Sequence, residues 1–263
     1  MKMRLQLADQ IRSAKPIVGP WMSIPHPIVA ETLAQTGVDF LLLDGEHAPV
    51  PPYVLGSLLP SVELYELPVI YRVCANRAEL IKAALDHGVA GVLVPMISSR
   101  GEAESAVAAA KYAPLGKRGV GAWRASNYYV DETAYVATAN TLTSIILQIE
   151  TKEAMQALDE IAAVPGVDAL YVGPADLAMS MGLEHGADGA LHPTFLDACA
   201  RVADAARKNG IAAGIDVASL EYVRAYRDMG FSILTYGSDF NFILSGGREA
   251  QRNLKAMLVS RSS

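Results

Sequence analysis

The chain repeats one short unit eight times: a nearly continuous apolar run, then a segment with helical spacing. The runs fall at residues 16–21, 38–43, 68–73, 90–95, 144–150, 168–173, 211–215 and 232–236. Helical segments are expected at 27–36, 54–62, 77–87, 102–112, 152–163, 194–208, 219–229 and 248–259, with a short surface helix at 4–15 leading in. Strands buried on one face alternate apolar and polar residues, whereas continuous runs belong to strands buried on both faces, as in a parallel sheet. Eight such units in 263 residues have the proportions of a single (β/α)8 TIM barrel covering residues 1–263. A doubly wound open sheet would carry a G-x-G-x-x-G turn after its first strand. Gly19-Pro20-Trp21 is no such turn.

The bulk numbers narrow the function. Net charge is −6 and no cluster of Lys and Arg is long enough to follow a phosphate backbone, so nucleic acid is excluded as a partner. Cys74 and Cys199 lie far apart without C-x-x-C spacing, which fits packed residues in a reducing compartment. Residues 1–5 lack the apolar core of a secretory signal, and no apolar run approaches the ~20 residues of a membrane helix. A cytoplasmic protein without membrane association is expected.

One stretch breaks the rhythm. Residues 113–140 are rich in Gly, Arg and aromatic side chains, and long connections of this kind are usually functional. An ordered loop that closes over something is expected there.

In a parallel barrel the chemistry gathers at the C-terminal ends of the strands. Those ends carry Trp21, Asp44-Gly45-Glu46-His47, Arg72, Pro95, Gln148 with Glu150, Gly173-Pro174-Ala175-Asp176, Asp216 and Gly237. So many acids over an apolar barrel repel one another unless they share a cation. Glu150 and Asp176 end neighbouring strands, about 4.8 Å apart. Together they suit an octahedral Mg²⁺ or Mn²⁺, or each caps the helix that follows it. Arg72 either pairs with an acid or binds a carboxylate substrate in two-pronged fashion. His47 is either a structural imidazole or a general base, with Asp44 three residues away as its orienting partner. His26, His87, His185 and His192 lack such a partner and read as structural or surface residues.

The lysines separate two chemistries. A Schiff-base aldolase needs a desolvated lysine on a barrel strand. None of the lysines lies in a strand run, and Lys152 sits just past the fifth. Carbonyl chemistry at this mouth therefore points to a metal ion.

Several segments resemble the HpcH/HpaI aldolase family. They are residues 41–49 (LLLDGEHAP), Val94-Pro95-Met96, residues 117–121 (KRGVG), Gln148-Ile149-Glu150-Thr151 and residues 172–177 (VGPADL). The match runs in order from about Gly19 to Asp239. The family comprises metal-dependent class II pyruvate aldolases of the phosphoenolpyruvate/pyruvate barrel type, including 4-hydroxy-2-oxoheptanedioate and 2-dehydro-3-deoxyglucarate aldolases.

The resemblance implies reversible aldol cleavage of 4-hydroxy-2-oxo acids to pyruvate, or hydroxypyruvate, and an aldehyde. It implies that Glu150 and Asp176 bind Mg²⁺, Mn²⁺ or a similar ion such as Co²⁺. Arg72 and the ion would hold the 2-oxo acid, with Gly173, Pro174 and Ala175 near its carboxylate. Gln148 would line the pyruvate side and Trp21 the aldehyde side. His47, oriented by Asp44, would be the base, and Glu46 would hold a metal-bound water or a subunit contact. Asp86 matches an acid near a subunit interface, in hexamers built as trimers of dimers that often exchange the C-terminal helix.

Two departures stand out. The route from residues 118–121 to Arg124-Ala125-Ser126 is shorter than in heptanedioate-specific members, and Asp216 replaces a more usual apolar residue. Both are expected where the distal part of the substrate binds. Two other functions are compatible with such a barrel. An acyl-CoA ester lyase of the citramalyl-CoA type would want a basic nucleotide-binding rim, and a non-catalytic subunit would show a broken metal pair or lack the His.

Overall fold

A computed structural model describes residues 2–183 and 192–259. Eight parallel strands close into a barrel in sequence order. They are β1 (Ile17–Met22), β2 (Leu41–Asp44), β3 (Val69–Arg72), β4 (Gly91–Val94), β5 (Ser144–Ile149), β6 (Ala169–Val172), β7 (Ala212–Asp216) and β8 (Ile233–Ser238). Each expected run coincides with its strand to within three residues, the largest difference being at the start of β2, and β1 pairs with both β2 and β8 to complete the ring.

Successive residues of a strand point to opposite faces, so the side chains divide cleanly. Leu42, Ile70, Leu93, Ile146, Tyr171 and Ile233 fill the barrel interior. Leu41, Leu43, Val92, Leu147, Leu170 and Val172 pack outward against the helices. Two residues beyond an interior position lies another interior position, and there the polar residues stand. Asp44 follows Leu42, Arg72 follows Ile70, Gln148 and Glu150 follow Ile146, and Thr235 follows Ile233. Parity alone aims these groups into the mouth.

The outer helices are α2 (Pro27–Ala34), α3 (Leu55–Glu63), α4 (Ala78–His87), α5 (Arg100–Ala110), α10 (Pro193–Lys208) and α11 (Val223–Met229). Segment 152–163 breaks at Ala157 into α7 (Lys152–Gln156) and α8 (Leu158–Ala162). The short α9 (Pro174–Ser180) begins directly at the end of β6. The leading helix α1 (Lys2–Arg12) lies on the surface with one face exposed, but its other face does more than expected: Leu7 and Ile11 are fully buried against Ile17, Phe40 and Ile70, closing the N-terminal end of the barrel.

The connection at 113–140 also lies at that end. It contains α6 (Glu132–Leu142), which packs on α1, and its backbone bonds the end of α4 through Ala125 N–H and the Asp86 carbonyl. It therefore does not close over the mouth of its own barrel. The last helix, α12 (Asp239–Val259), starts directly after β8, nine residues earlier than expected, because it runs through Gly246-Gly247. Its Phe240, Ile243, Leu244, Leu254, Met257 and Leu258 are exposed. Among the described residues, no helix is long and apolar enough to cross a membrane. His185 lies outside the described residues.

Candidate active site

Arg72 anchors the mouth. It pairs in register with Asp44 across β2 and β3, and their side chains meet twice: Nε donates to Oδ1 at 3.0 Å and Nη2 lies 2.9 Å from Oδ2. Its third nitrogen, Nη1, is 3.3 Å from Glu46 Oε2. The guanidinium also lies over the Trp21 ring, 4.4 Å from Cζ to the centroid. Held on three sides, an arginine retains a fixed orientation that a flexible ammonium cannot copy.

Asp44 serves a different partner from the one expected. Oδ1 accepts from the backbone N–H of Glu46 at 3.0 Å and of His47 at 3.1 Å, besides Arg72. Burial works to raise its pKa, but the Arg72 bonds, the Arg72 charge and the two N–H donors outweigh it and hold the carboxyl below its usual range. Asp44 thus shapes the turn and orients Arg72 instead of the His47 ring. The turn is tight: a Cβ on Gly45 would come within 2.6 Å of the Arg72 carbonyl. Tyr71 OH ties the loop down further on by donating to the Val50 carbonyl at 2.7 Å.

The His47 imidazole stands at the rim with its side chain 65% exposed, and its nearest carboxylate is Glu46, 3.8 Å from Nε2. Glu46 therefore bridges Arg72 and His47. Burial raises the Glu46 pKa, Arg72 and His47 counter it, and Asp44 and Asp176 add to the rise.

Glu150 sits deeper. Oε1 accepts from Met96 N–H at 2.6 Å and Oε2 from Gln148 Nε2 at 2.5 Å. Met96 adopts a left-handed backbone, φ 57°, which is uncommon in a residue with a Cβ, while its N–H is given to Glu150. Burial pushes the Glu150 carboxyl up to about 7, and Asp176 and Glu46 repel it further, against the Met96 bond and Arg72. Asp176 is exposed in the first turn of α9, with no ion pair among the described residues. Gly173 makes the approach possible: a Cβ there would lie 2.6 Å from Glu150 Oε2 and 2.7 Å from Gln148 Nε2. Pro174 opens α9, so the N–H groups of Ala175 and Asp176 face the mouth end without helical partners.

These residues fit a hard divalent ion. Among the described residues no three His, Cys, Asp or Glu side chains form a ready cage. Mg²⁺-type ions, however, commonly take one or two protein carboxylates and complete their shell with substrate and water. Burial and the neighbouring acids disfavour the charged form of Glu150, and the Gln148 Oε1 beside it is buried without a partner. A cation would relieve both.

Comparison with known proteins agrees with this geometry. The profile of the HpcH/HpaI aldolase/citrate lyase family matches residues 18–245. The chain belongs to that family. Family relatives include a hydroxypyruvate/pyruvate aldolase of Paraburkholderia phytofirmans, 37% identical over 95% of this chain and 97% of its own length. A 4-hydroxy-2-oxo-heptane-1,7-dioate aldolase of Salmonella typhimurium is 35% identical over 94% of this chain and 93% of its own length. The crystal structure of an HpcH/HpaI aldolase/citrate lyase family protein from Burkholderia cenocepacia superposes with a TM-score of 0.88 and 34% identity, covering 95% and 99% of the two chains.

Of the remaining residues, Asp86, expected near a subunit contact, and Arg124 and Ser126, expected beside the distal part of the substrate, lie away from the mouth of their own chain. Asp86 sits at the end of α4, 2.7 Å from the Arg118 guanidinium, at the N-terminal end of the barrel. Arg124 bonds Glu63 and the His87 carbonyl, also at that end, and Ser126 is buried in the same segment. Asp216 does reach the mouth. Its Oδ1 accepts from Trp21 Nε1 at 2.8 Å and from Thr235 Oγ1 at 2.6 Å, so it is built into the wall. Burial raises its pKa against the bonds from Thr235 and Trp21 and the charge of Arg72.

Thr235 and Asp239 carry roles that the linear reading misses. Asp239 Oδ2 accepts from the backbone N–H groups of Ser23 at 3.0 Å and Ile24 at 2.7 Å, fixing the turn after Trp21. Its position directly after β8 was the available signal.

Proposed function

We propose that this protein is a divalent-metal-dependent aldolase that reversibly cleaves 4-hydroxy-2-oxo acids to pyruvate, or hydroxypyruvate, and an aldehyde. The observation that carries it is Arg72, oriented by Asp44 and Trp21, beside the buried, charge-crowded carboxylate Glu150. Relatives named for this chemistry span nearly the full chain.

Glu150 and Asp176 would hold Mg²⁺, Mn²⁺ or Co²⁺, with Gln148 lining the same side. A bound ion of this kind supplies positive charge that polarises a 2-oxo group. The Arg72 guanidinium would stabilise the developing oxyanion, and the N–H groups of Ala175 and Asp176 would receive the substrate carboxylate at the start of α9. His47 takes the proton of the 4-hydroxyl, directly or through a water, with Glu46 beside it to stabilise the imidazolium. The bond between C3 and C4 then breaks, the aldehyde leaves, and its electron pair becomes the enolate of pyruvate, which is protonated at C3. Trp21 walls the aldehyde side.

The protein would work as a homo-oligomer, in the hexamer typical of such barrels. An apolar groove of about 500 Å³, lined by Val18, Pro20, Val38, Leu220, Val223 and Leu234, lies open beside β1 and β8. The exposed apolar face of α12 supports its exchange onto that groove of a second copy. Free Cys74 and Cys199 suit a reducing cytoplasm.

The test is a panel of 4-hydroxy-2-oxo acids with Mn²⁺ present, pyruvate release being coupled to lactate dehydrogenase. Turnover of at least one is expected. Turnover of CoA thioesters alone would assign the site to ester lysis instead.

A further inference from the structure

Arg72 has two kinds of support, and only one of them is ionic. Asp44 and Glu46 hold its edge, whereas its flat face rests on the Trp21 ring, 4.4 Å from Cζ to the centroid. The value of that stacking depends on the ring keeping its plane. An indole fixed only by packing can tip about its χ2 torsion, a broad two-fold rotor.

Trp21 does not rely on packing alone. Its Nε1–H donates to Asp216 Oδ1 at 2.8 Å, and the same oxygen accepts from Thr235 Oγ1–H at 2.6 Å. Because the Thr235 hydroxyl spends its proton on Asp216, Tyr171 OH is the donor in the 2.5 Å contact with Thr235. Tyr171 also meets the indole edge to face, with centroids 6.4 Å apart. Four strands, β6, β8, β7 and β1, thus contribute one side chain each to a line that ends under the guanidinium of β3. Gly214 leaves room for it, since a Cβ there would lie 2.6 Å from the Tyr171 ring.

We propose that Asp216 is a positioning residue for substrate binding: through the Trp21 N–H it sets the ring on which Arg72 is stacked. An apolar side chain at this position would leave the indole N–H without its acceptor and the ring free to tip. The inference rests on the reading of Arg72 as the 2-oxo acid clamp.

The test is a double-mutant cycle on pyruvate affinity, measured by titration calorimetry with Mn²⁺ present, together with Trp21 fluorescence. Cation–π contacts of this type support about a tenfold effect, so Asp216→Leu is expected to weaken pyruvate binding roughly tenfold. Asp216→Asn keeps an acceptor for the indole and is expected to recover most of that loss. Trp21→Phe keeps the ring and loses the donor, so Asp216→Leu should add less than about twofold in that background. A direct charge effect on Arg72 would instead make Asn behave like Leu, and would make the two substitutions multiply; either result overturns the proposal.

The second readout does not depend on pyruvate. With Trp123→Phe, Trp21 is the remaining tryptophan of the two in the chain. Time-resolved anisotropy should show fast local motion of Trp21 in Asp216→Leu and little in Asp216→Asn, while circular dichroism reports an intact fold. Unchanged anisotropy in Asp216→Leu overturns the proposal. Wild-type protein that fails to bind pyruvate, while anisotropy responds as stated, would refute the reading of Arg72 and leave the positioning role standing.

Discussion

Replacing Glu150 by Gln should make the metal-free protein more stable while removing its activity. Burial and neighbouring acids move this carboxyl from 4.5 to about 7 in the folded chain. At about 1.4 kcal/mol per pH unit, that interval amounts to about 3 kcal/mol. In this window the unfolded chain has already released a proton that the folded carboxyl keeps, so stability falls as pH rises. The penalty is absent below pH 4.5 and complete above about 7. The substituted amide would still accept from Met96 N–H through its oxygen. Its nitrogen would face Gln148, whose unpartnered Oε1 can accept after the amide of Gln148 turns over. Large domains shift by roughly 2–4 °C per kcal/mol, so Glu150→Gln should melt roughly 6–12 °C above wild type at pH 8. The two curves should converge near pH 4.5. Circular dichroism melts in EDTA across this range measure the difference. Melting temperatures that run parallel at every pH would refute the reasoning.

Three further outcomes are expected. Arg72→Lys retains charge but loses the two-pronged bond to Asp44, and should lower kcat/KM by roughly 10²–10³ with an unchanged far-ultraviolet spectrum. Gly173→Ala places a Cβ 2.6 Å from Glu150 Oε2, so Mn²⁺ affinity measured by calorimetry should drop and the melting temperature fall, corresponding to about 1–3 kcal/mol of overpacking. Asp168→Ala removes the carboxylate bonded by Arg12 Nε and Ile145 N–H, both at 2.9 Å. That change, at the N-terminal end, should cost about 3–5 kcal/mol in urea unfolding while kcat at low temperature stays near wild type.

The barrel was legible because its strands are buried on both faces and therefore stay apolar throughout. Counting in twos from the interior residues also aims Asp44, Arg72, Gln148 and Thr235 inward, so most of the mouth follows from strand parity. What failed was assignment to an end of the barrel. The stretch at 113–140 joins a helix to the next strand, and such connections lie at the N-terminal end; Arg124 and Ser126 had to follow it there. Helix α6 was hidden by the surrounding Gly and aromatic residues, although Tyr135, Ala139 and Leu142 keep helical spacing.

The pairing of Asp44 with His47 failed for another reason. Proximity in sequence says nothing of a competitor on the adjacent strand, and Arg72 takes both carboxylate oxygens. The role of Asp216 was likewise invisible, because its partners Trp21 and Thr235, and Tyr171 behind Thr235, come from three other strands.

Metal dependence of the aldol cleavage is the most direct test. Protein stripped with EDTA should release no pyruvate from a 4-hydroxy-2-oxo acid that the untreated enzyme cleaves, as followed by coupling to lactate dehydrogenase. Adding Mn²⁺ or Mg²⁺ in excess of the chelator should restore the rate in wild type and fail to restore it in Glu150→Gln. Cleavage that proceeds at the same rate before and after chelation would contradict the role given to Glu150 and Asp176.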